Sequence, residues 1–158
     1  MLHQQPIPWA YRVFFRHVGI DPDQDRTPIE AIALERMRAG GFRSVNVLED
    51  ALLLATLETS VPVQAFDVTA IAGTLGLRLA DDGERLGSPD GRLIGRRRIV
   101  IADERRALAV LFGDVAEDAA PSPSTRRIAL VAPQVKGVPD VSVEEALWTA
   151  ADTLTESP

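Results

Sequence analysis

His3 and His17 are the two side chains of this sequence whose ordinary pKa lies near neutral pH, so they are the first candidates for a general base. His17 falls on a predicted helix beside Arg16, and no serine and aspartate are arranged around it by sequence, so a solvated or capping histidine is the expectation. The carboxylates come in adjacent pairs, Glu49-Asp50, Asp81-Asp82, Asp103-Glu104 and Glu144-Glu145. Neighbouring side chains diverge on a helix and on a strand alike, so these pairs do not converge on a metal or a shared proton. No metal site, no cofactor site and no catalytic residue is assigned.

Gly73-Thr74-Leu75-Gly76 lacks the lysine and the strand-to-helix setting of a phosphate-binding loop, and reads as a turn entering a strand. Arg92, Arg96, Arg97 and Arg98 form a basic stretch that continues to Arg105 and Arg106. They are candidate contacts to RNA phosphates, or else a solvated sheet edge that blocks aggregation. Asp67 precedes Val68-Thr69-Ala70 and is placed to accept backbone N–H groups at a short helix start.

These residues sit in a chain of 158 with 46% hydrophobic side chains and no cysteine, the composition and length of a single globular domain spanning 1–158. The absence of cysteine removes disulfides, thiolate metal sites and thiol nucleophiles, and a cytoplasmic location is expected. No segment approaches the ~20 apolar residues of a membrane span. A net charge of -6 argues against a broad DNA-binding face, though a local basic patch remains around Arg96.

The elements that position these side chains fall in the order of an α+β fold: N-terminal helices on a mixed, mainly antiparallel sheet, then a C-terminal helix. Trp9, Val13, Phe14 and Val18 recur at helical spacing, predicting a helix from Pro8 to Val18 with its aromatic face in the core. Thr27, Pro28 and Glu30 read as a capping box opening a helix to Ala39, stopped by Gly40-Gly41. Val45 to Leu57 reads as a buried helix capped by Asn46 or Ser44. Leu75, Leu77 and Leu79 alternate with Arg78, predicting a strand half-buried on its leucine face. Arg98 to Ala102 and Ala107 to Phe112 read as a hairpin, Gly113 to Ser124 as a loop, and Arg127 to Ala132 as a strand. Ser142 with Glu145 predicts the cap of a last helix ending near Leu154.

Taken in order, Asn46, Asp50, Leu57-Glu58, Pro62, Ala65-Phe66-Asp67, Gly73, Arg78-Leu79-Ala80, Gly83-Glu84-Arg85-Leu86 and Ile101-Ala102-Asp103 follow a pattern. It continues through Ala109 to Gly113 and through Thr125, Ile128, Ala129 and Leu130 before a proline. This pattern resembles the tRNA-editing module of the phenylalanyl-tRNA synthetase beta chain, over about Phe42 to Pro133. Tyr11-Arg12, Phe15, Gly19-Ile20-Asp21-Pro22 and Arg26 to Ala31 resemble the short free-standing proteins that carry this module alone.

The resemblance implies an α+β module whose parent hydrolyses the ester of a misacylated tRNA, with aminoacyl-tRNA as partner. It implies a substrate pocket at Leu53, Thr56, Gln64, Phe66 and Val131. Three of these depart from the pattern, which has asparagine at Leu53, histidine at Gln64 and glutamate at Val131. Gln64 can hydrogen-bond an α-amino group or a water but cannot act as a base near neutral pH. Two functions are therefore carried forward: a tRNA-binding protein that edits in trans, and an inactive module holding an amino-acid-like ligand or a protein partner.

Overall fold

The computed structural model describes residues 2–41 and 44–156; the expectations for Phe42 and for the His3 side chain lie outside what it describes. Among the described residues four α-helices, α1 (Pro6–His17), α2 (Pro28–Ala39), α3 (Val47–Thr59) and α4 (Asp140–Glu156), bracket five short strands. The strands are β1 (Gln64–Asp67), β2 (Gly76–Leu79), β3 (Ile99–Ala102), β4 (Ala107–Val110) and β5 (Ile128–Val131). β1 pairs with β5, and β2-β3-β4 form a three-stranded antiparallel sheet. This is the α+β order expected from the sequence.

The chain divides into two compact units, residues 1–64 with 130–158 and residues 65–129. The first is helical. Asn46 caps α3 through its side-chain oxygen, which accepts the Glu49 N–H at 2.9 Å, and Ser60 closes the helix in the left-handed conformation. α3 packs against α4, and each presents two fully buried alanines four residues apart, Ala51 with Ala55 and Ala146 with Ala150. Residues spaced this way share one helix face, and their small side chains let the two backbones approach closely.

The buried face of α1 is not the one predicted. Pro8, Tyr11, Arg12 and Phe15 are buried, whereas Trp9 is exposed and Val13, Phe14 and Val18 are half-buried. Polar tips explain the difference: Tyr11 donates its hydroxyl to the Pro133 carbonyl at 3.0 Å, and Arg12 pairs with Asp23 and, at 2.6 Å, with Glu30. Hydropathy spacing counts both residues against burial, but each carries its own compensation.

Glu30 is likewise diverted. Thr27 donates its hydroxyl to the Glu30 carboxylate at 2.6 Å and makes no side-chain bond to the helix backbone, so Pro28 opens α2 without the predicted capping box. α4 starts at Asp140, two residues before Ser142, which lies inside the helix rather than capping it.

The second unit is built on β3, the central strand, whose Val100, Ile101 and Ala102 are buried together with Leu108 of β4 and Phe66. β3 and β4 slip register between Ile101 and Ala102, adding Leu108 to the β4 side as a bulge. β2 is an edge strand, and its leucine face points outward: Leu77 is 54% exposed and Leu79 59%. Arg78, on the side predicted to be polar, is less exposed than either leucine, because it meets Glu84. The arginines before β3 thus precede a central strand, not a sheet edge, and do not guard an edge.

Candidate functional site

Four charged residues of the editing-module pattern, Asp67, Arg78, Glu84 and Asp103, are held by bonds within residues 65–129. Asp67 ends β1 and begins a single 3-10 turn, Val68–Ala70. One carboxylate oxygen accepts the Thr69 N–H at 2.9 Å and its hydroxyl at 2.7 Å; the other accepts the Thr125 hydroxyl at 2.8 Å. The Thr69 hydroxyl, then the Thr125 hydroxyl and the Thr69 N–H, hold this carboxyl below its ordinary pKa.

Arg78 grips Glu84 with both guanidinium nitrogens, at 2.8 and 2.6 Å, and Glu84 also accepts the Asp81 N–H at 2.8 Å. The Arg78 bonds lead the forces that lower the Glu84 pKa. Asp103 is partly desolvated, which raises its pKa, but the N–H groups of Ala72, Arg105 and Arg106 at 2.8 to 3.0 Å outweigh burial and the net shift is downward. A carboxylate filled with donors in this way is an anchor for turns and a poor proton acceptor. The sequence pointed to Asp67 as a turn cap, but its bond to Thr125, 58 residues on, carries no local signal.

The four arginines proposed for RNA contact lie in this unit. Arg92 is exposed and pairs with Asp114, and Arg96 is exposed with Asp82 at 3.6 Å. Arg97 is exposed and left-handed at φ 57°, and Arg98 is half-buried with its carbonyl accepting the Ala80 N–H at 2.8 Å. Residues 65–129 hold ten basic and ten acidic side chains, so the whole net charge of -6 falls on residues 1–64 and 130–158.

Of the substrate-pocket candidates, Leu53, Thr56, Gln64 and Val131 belong to the first unit and Phe66 to the second. Leu53 and Thr56 stand three residues apart on α3, hence on one helix face, and Gln64 and Val131 lie on the paired strands β1 and β5. Leu53, Gln64 and Val131 are half-buried. Thr56 is buried and donates its hydroxyl to the Leu52 carbonyl at 2.9 Å, leaving oxygen lone pairs but no free proton. Phe66 is fully buried.

His17 is exposed in the last turn of α1. Among the described residues no three or more His, Asp or Glu side chains are grouped so as to hold a metal ion, and no helix is long and apolar enough to cross a membrane.

The profile of the B3/4 domain matches residues 10–156. The chain belongs to the B3/4 domain family. Among curated proteins, this B3/4 chain is 38% identical to the phenylalanine–tRNA ligase beta subunit of Pseudomonas savastanoi pv. phaseolicola over 79 residues, 49% of the chain and 10% of that subunit. It is 34% identical over 99 residues to the beta subunit of Pseudomonas fluorescens, covering 61% of the chain and 12% of the subunit. To that of Xylella fastidiosa it is 37% identical over 99 residues, covering 60% and 12%. The B3/4 chain thus spans about a tenth of the length of these relatives.

Proposed function

We propose that this B3/4 chain binds the charged end of a tRNA in the cytoplasm and hydrolyses the ester of a mismatched amino acid in trans. The observation that carries the proposal is the family match over residues 10–156, joined to relatives that are beta subunits of a tRNA ligase. The substrate would meet Leu53, Thr56, Gln64 and Val131. Gln64 supplies an amide that both donates and accepts, suited to an α-amino group or a water, and Thr56 offers only lone pairs.

None of these groups accepts a proton at neutral pH, so the proton is relayed by the substrate itself: the free hydroxyl of the terminal ribose accepts a hydrogen bond from the attacking water and passes a proton on to the leaving ribose oxygen. Water adds to the ester carbonyl and the bond to the ribose oxygen breaks. That oxygen leaves with one proton of the water, and the second is released as the amino acid ionises. The chain's part is positioning, which alone can supply a large share of a rate enhancement.

Arg96 and Arg97 are the natural phosphate contacts, since they lie exposed in a turn of the unit whose charges balance. Mobility-shift titrations with charged and uncharged tRNA at low salt test binding. A shift that weakens as salt rises, and weakens further in Arg96→Ala with Arg97→Ala, is expected. No shift at low salt would overturn the proposal.

A second function is favoured by one observation: Leu53 and Val131 are apolar, and the Thr56 proton is already committed. Such a surface suits an amino-acid-like ligand held without turnover. Stabilisation of the fold by a free amino acid or analogue, with no loss of ester from any charged tRNA, would select this reading.

A further inference from the structure

We propose that the outer face of α4 docks a basic amphipathic helix of a protein partner, with an arginine or lysine of that helix stacked on Trp148. Trp148 is 73% exposed at the middle of α4, and Val141, two turns before it, is 68% exposed. Glu144, Glu145, Ala151, Asp152 and Thr155 are exposed on the same side, at the three- and four-residue steps that align them with the tryptophan. The opposite side of the helix is the one used by the fold, through Ala146 and Ala150.

Charge decides the occupant. Glu144 and Glu145 lie one turn before Trp148 and Asp152 one turn after, and neither α4 nor α3, against which it packs, contains an arginine or lysine. A tRNA backbone is repelled by such a face, whereas a cationic helix is matched both in charge and in its apolar stripe. An exposed indole between carboxylates is also a good seat for a guanidinium, whose attraction to the ring adds to its pairing with the acids. Trp9 shows the contrast, because Arg16 of the same chain already lies over its ring, 5.6 Å from the centroid. Trp148 has the same chemistry turned outward.

The probe is a fluorescently labelled synthetic helix-forming peptide with arginine and leucine at helical spacing, titrated into the unaltered chain and followed by anisotropy. Binding that weakens with salt is expected, with a loss of about tenfold or more in affinity for Trp148→Ala, the size of a tryptophan hot spot. A similar loss is expected for the combined Glu144→Gln, Glu145→Gln and Asp152→Asn variant, with the unfolding midpoint unchanged in both. In a Trp9→Phe chain, the remaining tryptophan emission shifts to shorter wavelength as the peptide binds. Equal binding of a peptide with glutamine in place of arginine, or of the Trp148→Ala chain, would overturn the proposal. So would an emission shift that follows chain concentration without peptide, since a second copy would then be the occupant.

Discussion

The Thr125 hydroxyl donates to the Asp67 carboxylate at 2.8 Å, tying the loop before β5 to the end of β1. The other Asp67 oxygen is occupied by Thr69, so the carboxylate expected to cap a short helix start also anchors a distant loop. Thr125→Val keeps the volume and removes the donor, and is expected to lower the unfolding midpoint, while Thr125→Ser restores it. Thermal unfolding followed by circular dichroism checks this, and an unchanged midpoint for Thr125→Val would count against the anchor.

The same carboxylates set an acid limit. Asp67, Glu84 and Asp103 each have a folded pKa below the unfolded value, so the folded state binds fewer protons than the unfolded one. Their stabilisation is complete above the unfolded carboxylate pKa of about 4 and is lost as pH falls through the lower folded values. Unfolding midpoints measured from pH 7 downward are expected to hold until about pH 4 and then drop. Asp103→Asn is expected to lower the neutral-pH midpoint and flatten the drop; a variant with the wild-type acid slope would show that Asp103 contributes none of it.

Arg12 is a buried cation shared by Asp23 and Glu30, and its Nε has no hydrogen-bond partner among the described residues. Arg12→Met leaves Glu30, among the described residues, with the Thr27 hydroxyl as its side-chain donor. A cost of about 2–3 kcal/mol is expected, below the ~3–5 of a fully buried pair because Asp23 stays in water. Adding Glu30→Gln should recover part of it. Denaturant unfolding of the single and double variants checks both values.

Arg97 separates stability from function. Its left-handed backbone is one that glycine adopts without penalty, so Arg97→Gly is expected to leave the fold as stable or to gain up to about 1 kcal/mol. The same change removes a phosphate contact under the proposed function, weakening tRNA binding and reducing its salt slope by about one. Measuring the unfolding midpoint and the salt-dependent tRNA affinity on one preparation distinguishes the two effects.

Gly91 is needed for space rather than for φ: a Cβ there would overlap the Leu86 carbonyl oxygen, whereas one on Gly76 would meet nothing. Gly91→Ala is expected to destabilise the turn between Leu86 and Arg92 by about 1–3 kcal/mol, and Gly76→Ala to change stability by less than about 0.5 kcal/mol. Equal effects in denaturant unfolding would contradict the geometry.

Element positions were legible from local signals: Asn46 before α3, Gly40 after α2, and the polar turn from Asp103 to Arg106 between β3 and β4. Faces were not. The buried side of α1 is set by Tyr11 and Arg12 reaching Pro133, Asp23 and Glu30, and Arg78 finds Glu84 and leaves Leu77 and Leu79 outside. Spacing rules assign faces by hydropathy and cannot register a polar group whose partner is supplied elsewhere in the fold. The candidate residues Gln64 and Val131 were visible only through resemblance, because they lie on β1 and β5, paired strands more than sixty residues apart in sequence.

The most direct measurement is the half-life of the ester in a panel of tRNAs charged with cognate and non-cognate amino acids, incubated with the chain. The proposed function predicts that at least one mischarged ester decays faster than in buffer, and that the gain disappears when the free hydroxyl of the terminal ribose is removed. Half-lives equal to buffer for every amino acid would contradict it.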